Sequence, residues 1–128
     1  MRKEKAFYIR SQDELELLLE YWMCKLGLNN WEICVKFVRS CSMPDELGNV
    51  TYVLSSKQAV IKILRYEDYK EANYDFEWDM EETLVHEILH LQFAKLSCNN
   101  EEDGAEYREM HSIIEDTARQ LVNLKRGE

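Results

Sequence analysis

The segment Thr83–Phe93, TLVHEILHLQF, limits what this chain can fold into more than any other stretch. His86 and His90 stand four residues apart, and Glu87 follows the first of them. On a helix that spacing puts both imidazoles on one face, one turn apart. Leu84, Val85, Ile88, Leu89 and Leu91 are apolar, which predicts a mostly buried helix. A buried helix must find partners for two imidazoles and a carboxylate, because unpaired polar groups are costly away from water. A metal ion would supply those partners. The chain has only three histidines, and two of them fall in this register. That weighs against a plain core helix with two satisfied histidines.

Zinc favours tetrahedral sites built from imidazole nitrogen, thiolate and carboxylate ligands. In an HExxH helix the two histidines bind the ion. The glutamate, about 100° round the helix from its neighbour, takes a proton from an attacking water that the metal polarises. Glu87 is therefore the candidate general base, and Zn2+ the expected cofactor. A third protein ligand has to come from elsewhere. The extended pattern HExxHxxGxxH is absent, since LQFAKLSCNN follows His90. The last predicted helix offers His111, the remaining histidine, and Glu115 one turn later on the same face. His111 is the preferred third ligand and Glu115 the alternative; the one not used could orient the one that is.

The rest of the chain reads as a small α+β domain. Ser11 and Glu14 form a capping box ahead of a helix with Leu15, Leu18, Leu19, Trp22 and Leu26 on one face, stopped by Gly27. In WEICVKFV, apolar and polar residues alternate as in a strand. VTYVLSS and AVIKILRY are two more β-rich runs, joined by a short hairpin connection around SSKQ. The segment after them, rich in acids and aromatics, predicts a loop or irregular helix. Asp79 and Glu82 cap the histidine helix, expected to run to about Ser97. A final helix spans Ala105 to Lys125, with Met110, Ile113, Ile114, Ala118, Leu121 and Leu124 at core spacing. The predicted architecture is an N-terminal helix, a small three-stranded, mostly antiparallel sheet, the HExxH helix and a C-terminal helix. At 128 residues, 1–128 form a single domain.

The formal net charge of −9 argues against nucleic acid and anionic membrane surfaces as partners. Acid is concentrated on both sides of the histidine helix. There are eight acids and one lysine between Glu67 and Glu82, and seven acids and one arginine between Glu101 and Asp116. Such runs read as solvated faces, or as a negative rim favouring cations or basic substrates. Cys24, Cys34, Cys41 and Cys98 contain no CxxC pair, so free thiols are expected. No apolar run suits a signal peptide or a membrane span, and the expected compartment is the cytoplasm.

With VHEILHLQF set in a short strand–helix–helix chain, the sequence resembles the small zincin-type metallopeptidases of phages and mobile elements. More distantly it is similar to the regulatory peptidases that cleave repressors in such elements. WEICVKF and HSIIEDTARQLV match the strand and last-helix patterns of that group; only HExxH is specific. The resemblance implies peptide-bond hydrolysis and a protein or peptide substrate, which could be a regulatory protein. In many relatives the last-helix ligand is thought to be glutamate, which keeps Glu115 beside His111. In zincins an edge strand beside the metal helix pairs with an extended substrate. Ala59–Leu64 is the candidate for that role, although it also reads as an ordinary core strand. Tyr66, Tyr69 and Tyr74 are candidate oxyanion donors, and Trp22, Trp31 and Trp78 are expected in the core. The alternative is a non-catalytic zinc-binding or regulatory interaction domain of a phage or mobile element.

Overall fold

The computed structural model describes residues 7–97 and 104–127. Cys98 lies outside them, while Cys24, Cys34 and Cys41 are free and exposed. The element order is α1 (Gln12–Leu26), β1 (Glu32–Val38), β2 (Gly48–Val53), β3 (Gln58–Leu64), α2 (Tyr66–Ala72), α3 (Met80–Gln92), α4 (Ala94–Ser97) and α5 (Ala105–Lys125). It is the expected α+β layout, a three-stranded sheet with helices before and after it in chain order.

Local chemistry sets the helix ends. Ser11 Oγ accepts from Glu14 N–H at 3.1 Å, and the Glu14 carboxylate reaches back to Arg10 N–H. At the other end Gly27 sits at φ +71°. Its N–H bonds to the Cys24 carbonyl and the Leu28 N–H to that of Met23, which closes the helix as a Schellman motif. Asp79 caps α3 by accepting from Glu82 N–H at 3.1 Å. The histidine helix is shorter than the sequence suggests. It stops at Gln92, and after Phe93 only the short α4 continues. No glycine or proline marks that break.

The sheet is mixed rather than mostly antiparallel, with strand order β1-β3-β2. β2 and β3 form the expected antiparallel hairpin, turning through Leu54–Lys57. β3 then inserts beside β1 and runs parallel to it. Burial explains the order. Ala59, Ile61, Ile63 and Leu64 of β3 are at most 6% exposed, whereas no residue of β2 is fully buried. The most apolar strand takes the centre, where it is covered from both sides. Ala59–Leu64 is therefore not an edge strand; β2 is.

α3 is the hub of the core. It packs on β2 and β3, beside α1 and against α5. Leu84, Val85, Ile88, Leu89 and Leu91 are buried there, with Leu15, Leu19 and Trp22 from α1. From α5 a single stripe is buried: Met110, Ile114, Ala118 and Val122. Ile113 and Leu124, which fit core spacing in the sequence, are 55% and 71% exposed, because α5 is covered on one side only. All three tryptophans are buried as expected. The stripe fixes the rotation of α5, and so fixes what its neighbouring residues face.

Candidate metal centre

His111 and Glu115 follow the buried Met110 and Ile114 by one residue each, so both lie on the flank of α5 that borders α3. Antiparallel packing carries this register along the pair: Arg119 meets Glu82 at 3.3 Å, and Glu115 meets His86. One turn further on, His111 comes opposite the two α3 histidines. Ring centroids are 5.0 Å apart for His86–His90, 4.8 Å for His86–His111 and 5.6 Å for His90–His111. One nitrogen from each of the three falls within 4.8 Å of the others, a possible metal-binding triad.

The spacing suits a small ion. His86 Nε2 and His90 Nε2 are 3.2 Å apart. A tetrahedron with metal–nitrogen bonds of about 2.0–2.1 Å has an edge of about 3.4 Å. The protonation state suits it too. Burial, helped by the neighbouring His111, pulls the His86 pKa down to about 4. Burial, with His86 and His111 nearby, does the same to His90. Both rings are thus neutral near pH 7, with nitrogen lone pairs available.

Glu115 falls outside the triad. Its Oε1 lies 3.9 Å from His86 Nδ1, and its side chain is 51% exposed. If His86 ligates through Nε2, its Nδ1–H can point at this carboxylate, an arrangement that fixes ring orientation. The two last-helix candidates thus occupy two different places, one within the nitrogen cluster and one behind it.

Glu87 is 7% exposed, and among the described residues none hydrogen-bonds or ion-pairs with it. Burial first, then the negative charges of Glu46 and Glu115, push its pKa up to about 8. Its side chain reaches the same cleft as the histidines. Three converging imidazoles are a donor set that fits a divalent cation, and the Glu87 carboxylate lines the same cleft beside them.

The cleft has a volume of about 910 Å³. α3 forms its floor, α5 one wall, and β2 with the preceding Glu46 the other. The free edge of β2 therefore borders the histidines. Gly48 allows this closeness: a Cβ there would meet Thr83 Cγ2 of α3 at 2.7 Å. Tyr66, Tyr69 and Tyr74 do not line this cleft. They stack around a separate aromatic hollow with Tyr8 and Phe76, and Tyr69 donates its hydroxyl to the Phe76 carbonyl. The tyrosines on the cleft are Tyr52 and Tyr107. Tyr107 stands one turn before His111, a helical spacing visible in the sequence; Glu46 and Asn49 carried no such signal.

Compared with known proteins, the chain matches no family model, no curated protein and no solved structure.

Proposed function

We propose that this chain is a zincin-type metallopeptidase that hydrolyses peptide bonds, with zinc held by His86, His90 and His111 and Glu87 as general base. The observation that carries the reading is the meeting of three imidazoles and a buried, unpartnered carboxylate under an open strand edge. Bound zinc would supply Lewis-acid polarisation of the scissile carbonyl and of the attacking water.

The chain's own groups would do the rest. The extended substrate would add to the free edge of β2, taking main-chain hydrogen bonds there, in the role the sequence suggested for β3. That would lay its scissile bond along the cleft over α3. Glu87 would accept a proton from water and return it to the leaving amine. Burial and the charges of Glu46 and Glu115 raise its pKa in the metal-free protein, and the positive charge of a bound ion would draw it back toward the ionised form that a base needs. Glu115 would hold the His86 ring through Nδ1.

Glu87→Gln tests this reading, since an amide keeps the shape but cannot carry the proton. The zinc-loaded variant is expected to lose about 10²–10⁴-fold in peptide turnover while keeping its zinc. Retained turnover removes Glu87 from the mechanism. A zinc-loaded wild type that cuts no peptide leaves a metal-binding domain without catalysis.

A further inference from the structure

The charge on the cleft walls is unbalanced. Among its lining carboxylates, Glu82 is paired with Arg119 at 3.3 Å and Asp79 with Arg126 at 2.5 Å. Glu46, Glu77, Glu87 and Glu115 have no such partner: no described Lys or Arg forms an ion pair with any of them. Among the described residues Glu77 accepts the Tyr8 hydroxyl, and the one ion-pair contact of Glu115 is with His86. A divalent ion on the histidines would offset two charges, and with Glu46, Glu77 and Glu115 alone ionised the cleft would still be negative.

The unpaired carboxylates are also well placed. Glu46 stands two residues before the wall strand β2 and lines the cleft beside it. Glu115 projects from α5 on the opposite wall. Both line the same cleft as Glu87. A strand laid along β2 would thus run between a carboxylate on each wall of the cleft. A second feature independently calls for a ligand here. Glu87, 7% exposed, lines the cleft with no hydrogen-bond partner among the described residues, and the Asn49 Oδ1 on β2 is buried without one, as is Asn123 Oδ1 away from the cleft. Polar groups in that state are normally satisfied by something that binds.

We infer that the cleft selects cationic peptides, with Lys or Arg flanking the scissile bond, and that Glu46 and Glu115 are the residues that set this preference. The inference rests on the peptidase reading for the position of the bond, but the charge preference can be read without any cleavage. Opposite charge across a solvated cleft adds modest affinity and mainly discriminates against the wrong sign. Each exposed pair contributes a few-fold at most, so two of them give about a five- to twenty-fold preference.

The test uses zinc-loaded full-length protein and three labelled peptides on one Ala/Ser scaffold, carrying Lys, Ala or Glu on both sides of the central bond. Binding is measured on the Glu87→Gln protein, which does not consume the peptide, and cleavage on the wild type. The Lys peptide is expected to bind about five- to twenty-fold more tightly than the Glu peptide at low salt, and the ratio to shrink as salt is raised. Glu46→Gln should cut that ratio at least two-fold, and Glu46→Lys should bring it close to one. Equal binding, tighter binding of the Glu peptide, no binding of any peptide, or a ratio unmoved by both Glu46 variants overturns the inference. Charge-selective binding with no cleavage by the wild type overturns the peptidase reading and leaves the preference standing.

Discussion

The two ends of the α3–α5 pair handle buried charge in opposite ways. At the N-terminal end of α3, Glu81 is 1% exposed and fully partnered. It accepts from Trp22 Nε1 at 2.8 Å, Lys125 Nζ at 2.6 Å and Arg126 Nη2 at 3.1 Å. Arg126 also binds Asp79, the α3 cap. Less than two turns further along the same helix, Glu87 is almost as deep and has no partner. The first end is a clamp that joins α1, α3 and the last turn of α5. The second is a set of groups held in place by that clamp and left for something else to satisfy. A chain that can satisfy one buried glutamate with three donors, and leaves another bare beside three histidines, marks the second as a site.

The largest effect should come from breaking the clamp. Glu81→Ala strands Lys125, leaves Arg126 with Asp79 alone and removes the partner of the Trp22 indole. It should cost about 3–5 kcal/mol of folding stability, as broken buried ion pairs do. Urea unfolding of the metal-free protein reads this directly. A loss no greater than that of an exposed ion pair would mean that the two ends differ less than their geometry indicates.

The bare end should behave in the reverse sense. In metal-free protein the Glu87 carboxyl titrates near 8 instead of its ordinary 4.5. The folded state therefore holds a proton that the unfolded state has released, and stability falls as pH rises from about 4.5 through 8. Glu87→Gln removes that penalty. The variant should be no less stable than wild type at pH 5, and more stable at pH 8 by on the order of 3 kcal/mol. Saturating zinc should stabilise the wild type by about 3–4 kcal/mol at several hundred times its Kd, and should shrink the pH-dependent gap between the two proteins. Thermal melts at pH 5 and 8, with and without zinc, check all of this. A gap independent of pH would show that Glu87 is solvated or partnered after all.

The smallest effect concerns how closely the cleft wall approaches the helix floor. Gly48→Ala would press a methyl group against Thr83 Cγ2 and Ile63 Cδ1. The expected cost is about 1–3 kcal/mol from overpacking. Thr83→Ser removes the opposing methyl but keeps the hydroxyl that accepts from Trp78 Nε1. It should recover part of the loss in the double variant. No recovery would place the strain on the sheet side, at Ile63.

Much of this was legible in the sequence. His86, Glu87 and His90 are local: helical spacing alone places them, and the apolar residues between them predict their burial. The caps at Ser11, Gly27 and Asp79 are local as well, and they fix helix ends within a residue or so. What the sequence left open depends on distant partners. His111 and Glu115 share a face one turn apart, so choosing between them requires the register of α5 against α3. That register is fixed by the stripe Met110, Ile114, Ala118 and Val122 and by the ion pairs at the far end of both helices. The parallel pairing of β1 with β3 follows from which strand is most apolar, although the hairpin suggests a simple meander. The tyrosines between β3 and α3 sit next to the site in sequence, but α2 and the turn after it carry them round to another face. Tyr107, distant in sequence, lines the cleft instead.

The most direct test of the account is metal content. Purified untagged wild type, reconstituted with zinc and dialysed, should hold about one zinc per chain, as a three-histidine set with an open fourth position does. His111→Ala should lose that zinc, and Glu115→Ala should keep it with weakened affinity. Zinc retained by His111→Ala but lost by Glu115→Ala would exchange the roles assigned to the two last-helix residues. A wild type that takes up no zinc would contradict the metal centre itself, and the peptidase reading with it.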